Sequence, residues 1–360
     1  MKLSYTLIRE WLYCPFRMKI EKFERVAMPE AEHAVRAKIL GRLVHTGQAE
    51  YLKWDAAREV KLLGMPGYPK HVSTCIRHAI KAEMEKQKFW LGCDLKSPEA
   101  AALCKRVEGM VDRWATFFTP HAIYRSMQVG SGALESGARI GPCIETRFYV
   151  PMTSIWKVNL GIFTDVVAAP DWLAVGQGTD HRSLIDWKWR TELTPDSVEL
   201  ERFNVQAAFY QRVLRAVGIE VCSTMTVEGI RGEPTVPKLT KSGSLNRSPI
   251  RISWLEYEKH VLAHGLDPDD YQDMREKCSP AFRVHRTYRS NVEVDGMWAD
   301  VILPVANLID KTVRNNLPFP RVMDPDKCGR CHLREACTAG ISKRAHHQAF
   351  NQATLIKGVA

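Results

Sequence analysis

The chain has 360 residues, 45% of them hydrophobic and 26% charged, an ordinary globular composition with room for one large domain with insertions or for two domains. No apolar run approaches the roughly 18 residues that suggest a membrane span, and the opening MKLSYTLIREWLYC carries charge within its first apolar stretch, so it does not read as a signal peptide. Lys and Arg number 51 against 41 Asp and Glu, and this surplus of +10 suits a polyanionic partner such as nucleic acid, the alternative being a basic surface with no partner.

SYTLIREWLYCP reads as a short helix with Leu7, Ile8, Trp11 and Leu12 on one face and Pro15 after its end. EHAVRAKILGRLVHTGQAEYLKW is a longer amphipathic helix. On it Ala37, Gly41, His45 and Ala49 form one i, i+4 row, and small residues flanking a histidine let a helix approach another element closely. A lone histidine is more often a hydrogen-bonded core residue than a ligand, so His45 takes its weight from its neighbours. Residues from about 71 to 118 look mostly helical, with a helix-start signal at SPEA. QVGSGALESGARIGP is rich in Gly and Ser and reads as a mobile loop.

The period then changes. CIETRFYVPM, KVNLGIFTDVVAAP and RSLIDWKWRT show the alternation of strands. RFNVQAAFYQRVLRAVG is a helix ended by Gly218, followed by a strand, CSTMTVEGI. RGEPTVPKLTKSGSLNRSPIR is a loop with five Lys or Arg and one acid. This order suggests an α/β core with a helical insertion at about 55–125.

In LIDWKWRT, Asp186 and Lys188 point to one side of a strand while Ile185, Trp187 and Trp189 point to the other. The first pair is either a structural ion pair or the start of a metal-dependent site. Asp165, expected on the neighbouring strand, supplies a second carboxylate for a hard cation, and the Trp187 carbonyl a further oxygen. Such a cation binds the scissile phosphate and acidifies an attacking water, with Lys188 positioning that water or offsetting phosphate charge. Glu145 is either an accessory acid or a solvated strand residue. Gln206 and Tyr210, spaced i, i+4, share a helix face and suit contact with a phosphate and a base. Lys238, Lys241, Arg247 and Arg251, with Arg286 and Tyr288 of FRVHRTYR, are further candidate phosphate contacts.

The order His, Asp, D-x-K and Q-x-x-x-Y resembles the RecB-type nucleases of the PD-(D/E)XK superfamily. With the cysteines described next, it is similar to that family's iron–sulfur branch, which includes AddB-type recombination subunits and the fourth Cas family of CRISPR adaptation. The resemblance implies a mixed central sheet flanked by helices. It also implies a metal-dependent DNA nuclease acting at single-stranded or duplex ends, with Mg²⁺ or Mn²⁺ as cofactor. His45, Asp165 and Asp186 would be metal-binding, Asp165, Asp186 and Lys188 catalytic, and Gln206 and Tyr210 DNA-binding. The family often reads Gly-x-x-Asp before its second acid, and here three residues separate Gly161 from Asp165. The alternatives are a catalytically silent DNA-binding subunit and a structure-specific endonuclease. Implied protein partners are those of a recombination or CRISPR complex, with no membrane association.

KCGRCHLREACTAG packs Cys328, Cys331 and Cys337 into ten residues. By the resemblance, Cys14 joins them to hold a [4Fe–4S] cluster, so residues 1–20 and 324–340 form an iron–sulfur region of one domain over 1–340, with 341–360 as a tail. A structural zinc completed by His332, His346 or His347 is the competing reading. Cys75, Cys93, Cys104, Cys143, Cys222 and Cys278 have no paired spacing and are expected to be buried thiols. Without a secretory signal, the cysteines point to a reducing intracellular compartment.

Overall fold

The structure is a computed structural model. It describes residues 1–24, 32–59, 71–86, 94–118, 124–126, 128–129, 141–142, 144, 146–155, 161–176, 181–190, 193, 204–231, 237–278, 282–322, 324–329, 331, 333–334 and 337. Within these, strands β1 (Lys2–Ser4), β2 (Tyr124–Ser126), β3 (Phe148–Pro151), β4 (Asp165–Ala168), β5 (Trp172–Gly176), β6 (Arg182–Arg190), β7 (Ser223–Ile230) and β8 (Phe282–Thr287) build two mixed sheets. One has the order β1–β4–β3 and the other β8–β7–β6–β5–β2.

The helices that matter here are α1 (Tyr5–Tyr13), α2 (Glu32–Glu59), α3 (Val72–Lys86), α4 (Pro98–Phe118), α5 (Val205–Ala216), α6 (Trp254–Ala263) and α7 (Leu303–Arg314). β6 and β7 are parallel, with Lys188 level with Glu228. A parallel pair needs a crossover, and α5 supplies it. Asn204 caps α5, its Oδ1 accepting from Ala207 N at 3.2 Å, and Gly218 leaves the helix at φ +79°. That left-handed conformation suits glycine.

Side-chain alternation along β6 feeds two cores. Ile185, Trp187 and Trp189 join Trp172, Val227 and Phe282 beneath α2, α3 and α4. Leu184 joins Phe148, Val166 and Leu173 beneath α1, α5 and α7. Helices therefore cover both faces, and burying each large apolar side chain contributes about 1.5–3 kcal/mol. Ser97 of SPEA caps α4, its Oγ accepting from Ala100 N at 3.2 Å. A third, smaller core gathers Leu245, Ile250, Tyr257, Val261, Tyr271 and Met274 around α6.

Several expectations change. Leu12 is 47% exposed, and Glu10 is buried in its stead, beside Arg9 and Arg17. Gly41 makes no close approach, since a Cβ there would meet nothing within 4 Å. The tight glycine of α2 is Gly47, where a Cβ would stand 2.7 Å from Val111 Cγ2 of α4. Within the Gly- and Ser-rich stretch, Gln128–Val129 pairs with Gly141–Pro142, and the rest lies outside the described residues. β5 is a strand that the sequence pattern does not announce. Of the cysteines expected to be buried thiols, Cys104 is buried, Cys75 and Cys278 are half-buried and Cys222 is exposed, while Cys93 and Cys143 lie outside the described residues. Among the described residues, no helix is long and apolar enough to cross a membrane.

Candidate active site

Asp186 and Lys188 leave β6 on the side covered by α5, the helix that carries Gln206 and Tyr210. Lys188 Nζ is 2.6 Å from Asp186 Oδ2 and donates to Gln206 Oε1 at 3.2 Å. Gln206 Nε2 in turn lies 3.3 Å from both Asp186 Oδ1 and the Tyr210 hydroxyl. The amide thus holds acid and base in one register. Asp186 is only 7% exposed, and the Lys188 ammonium is the close partner of its Oδ2. An ionised carboxylate offers about four lone-pair sites, so this pairing leaves capacity for a cation.

The second carboxylate beside this pair is Asp171, not Asp165. β5 runs antiparallel to β6 with Trp172 opposite Ile185, so one step further brings Asp171 opposite Asp186. Asp171 Oδ2 accepts the Trp187 backbone N–H at 2.8 Å, and its Oδ1 is 3.8 Å from His45 Nδ1 on α2. The expected neighbouring strand of Asp165 is β4, which pairs with β1 and β3 in the other sheet. There Asp165 Oδ2 accepts from Thr164 Oγ1 at 2.8 Å, and it takes no part in the bonds and ion pairs around Asp186. The sequence signal for Asp171 was a short apolar run, WLAV, between Pro170–Asp171 and Gly176. Glu145 lies outside the described residues.

The electrostatics separate the roles. Burial works against the Lys188 ammonium, but the charges of Asp186 and Asp171 outweigh it and hold its pKa above the ordinary lysine value. Burial, aided by Lys188, pushes His45 down to about 4 against the pull of Asp186, so its ring is neutral at pH 7. The ring also hydrogen-bonds the Trp187 backbone. Burial pushes Tyr210 up to about 12, which keeps the phenol protonated. His45 and Lys188 open into a cleft of about 800 Å³, whose walls carry Lys38, Arg42, Arg147, Arg190 and Arg231 against the single acid Glu83.

A family model of the PD-(D/E)XK nuclease superfamily matches residues 2–338. The chain belongs to this superfamily. The superfamily is named for a Pro–Asp followed by Asp or Glu, any residue and Lys. Pro170–Asp171, just before β5, and Asp186–Trp187–Lys188, on β6, spell that pattern, and the fold sets these two strands side by side. No curated protein matches the chain significantly.

A second site of this PD-(D/E)XK protein joins its two ends. Cys14, just past α1, and Cys328, Cys331 and Cys337 line one cavity of about 150 Å³, with Arg17 and Arg321 on its rim. Burial pushes the Cys331 and Cys337 thiols up, and charge on their neighbouring cysteines raises them further. Phe16 N donates to Pro320 O at 3.0 Å and the Tyr13 hydroxyl to Lys327 O at 3.2 Å, so hydrogen bonds alone already tie the ends. Among the described residues, no three His, Cys, Asp or Glu are grouped to hold a metal ion. His332, His346 and His347 lie outside the described residues.

Proposed function

We propose that this nuclease hydrolyses phosphodiester bonds at DNA ends in a metal-dependent reaction, as a RecB-type member of the iron–sulfur branch. The observation that carries this reading is the buried Asp186 paired with Lys188, with Asp171 across the strand pair and a cationic cleft in front. Asp171 and Asp186 would hold Mg²⁺ or Mn²⁺, with the neutral His45 and the Trp187 carbonyl beside them. When bound, the ion supplies Lewis-acid polarisation of the phosphate and acidifies a water. Lys188 aligns the attacking water and offsets charge building on the phosphate oxygens. Gln206 fixes Lys188 and Asp186 relative to each other. Tyr210 stays a hydrogen-bond donor across the working pH range and faces a phosphate oxygen.

We favour a [4Fe–4S] cluster over zinc, because Cys14, Cys328, Cys331 and Cys337 line one cavity and would supply the four-cysteine ligand set such a cluster takes. Arg17 and Arg321 balance the charge of bound thiolates.

The test is incubation of the purified protein with end-labelled linear DNA and with circular DNA, each in Mg²⁺, Mn²⁺ or EDTA, beside Asp186→Ala. Cleavage of linear DNA that needs a divalent ion and Asp186 supports the reading. Cleavage of circular DNA at an equal rate rejects action at ends, and DNA binding without any cleavage rejects catalysis.

A further inference from the structure

Two residues past Lys188, the cleft holds an arrangement that the hydrolytic reading does not use. β6 ends at Arg190, and its carbonyl accepts the backbone N–H of Arg231, the residue after β7, at 2.8 Å. Two guanidinium groups therefore leave neighbouring strand ends and line the same cleft. They are not equivalent. Arg190 Nε is bound to Glu228 Oε1 at 2.9 Å, which leaves both terminal amino groups for another acceptor. The Glu228 side chain is 1% exposed, and its other oxygen lies 3.0 Å from His285 Nε2 on β8. A buried carboxylate with both oxygens engaged is a fixed anchor, so Arg190 is aimed rather than free.

Arg231 has the opposite character. Its Nε is buried with no hydrogen-bond partner, and no described side chain pairs with its guanidinium. Burial and the like charge of Arg190 both push its pKa down. Arg106 of α4 adds a third cation, donating to the Arg231 carbonyl at 3.1 Å. Holding two like charges together with a buried donor unsatisfied costs free energy. An anion between them removes both penalties.

We propose that Arg190 and Arg231 form a phosphate subsite distinct from the Asp186–Lys188 centre. It takes one backbone phosphate of the nucleic-acid strand whose neighbouring linkage lies at Lys188, with Glu228 and His285 as positioning residues for Arg190. Strand rise of about 3.3 Å per residue sets Lys188 and Arg190 roughly 6.6 Å apart on one face. A separation of that size keeps the second phosphate close along the strand to the linkage at Lys188. The subsite would fix strand register rather than perform chemistry.

This inference rests on the nuclease reading, and its test separates the two. The full chain is titrated in EDTA into a fluorescein-labelled single-stranded 20-mer over a range of salt. The proteins are wild type, Arg190→Ala, Arg231→Ala, the double variant, and Lys259→Ala, an exposed cation outside the cleft, as control. Each single variant is expected to bind about tenfold more weakly and to lose about 0.7 from the slope of log affinity against log salt, the value for one single-strand phosphate. Because both arginines serve one phosphate, the double variant should lose no more slope than either single one. Arg190→Lys should restore the slope without restoring affinity, since it keeps the charge and loses the fork. Glu228→Gln should raise KM in the wild-type background and add nothing to Arg190→Ala. Unchanged slopes, or a double variant that loses twice as much, would overturn the shared subsite while leaving a wild type that cleaves linear DNA as a nuclease. A wild type that neither binds nor cleaves DNA would overturn both.

Discussion

Replacing Asp171 by Asn and, separately, Asp165 by Asn decides which carboxylate serves the site. Asn at 171 keeps an oxygen for the Trp187 N–H, now accepted at 2.8 Å, so fold stability should change by less than about 1 kcal/mol. What is lost is one negative charge beside Asp186. Asp171 sits 3.8 Å from His45, and at about 4 Å a unit charge acts with about 4 kcal/mol at an effective dielectric of 20. The Asp171 side chain keeps 18% of its surface exposed, so solvent takes a share, and about 2 kcal/mol is a working figure. That corresponds to roughly thirtyfold weaker binding of a divalent cation. The assay is the initial cleavage rate of end-labelled linear DNA against Mg²⁺ concentration, with thermal melting in EDTA as the check on folding. Asp171→Asn should shift the Mg²⁺ midpoint by about thirtyfold or more and leave melting nearly unchanged. Asp165→Asn should leave the midpoint in place. Wild-type Mg²⁺ dependence in Asp171→Asn, or an equal loss in Asp165→Asn, would refute the assignment made from strand register.

Cys14→Ser should lose iron and brown colour as completely as Cys331→Ser, measured by iron and sulfide analysis after anaerobic purification. Stoichiometric zinc in wild type, or full iron in Cys14→Ser, would end the cluster proposal. His45 has a folded pKa of about 4, below the ordinary histidine value near 6.5, so the unfolded chain binds more protons between those values and stability falls on acidification through that window. Between pH 7 and 5 this costs up to about 2 kcal/mol, and His45→Gln should lose that much less over the same range in urea unfolding with EDTA. Equal losses would remove the burial argument for His45. Gly47→Ala should destabilise by about 1–3 kcal/mol by overpacking α2 against Val111. An unchanged melting temperature would show that the two helices separate at little cost.

Local pattern made part of the site legible. Alternation along RSLIDWKWRT put Asp186 and Lys188 on one face, and the i, i+4 spacing of Gln206 and Tyr210 put both on the side of α5 that meets them. Asp171 was harder to see, because its role depends on which strand lies beside β6. WLAV is too short to show a period, while the longer alternation around Asp165 drew attention to a strand whose partners are β1 and β3. Pairing partners are set by long-range closure, which a local window does not encode. The cations followed the same rule. The sequence drew the eye to the basic loop, yet Arg247 there is tied to Asp273 and the Asp270 carbonyl within its own small core. The cleft instead collects Lys38, Arg42, Arg147, Arg190 and Arg231 from separate segments.

The contact between the two chain ends has a consequence for how the protein is made. Tyr13 and its bonding partner Lys327 are 314 residues apart, and β1 cannot pair until β4 has been synthesised. At about 5–20 residues per second, a ribosome needs roughly 15–60 s between those two residues. By then β1 has paired with β4 and α1 has packed into its core, so the cysteine-bearing segment docks onto an N-terminal end that the sheet already holds.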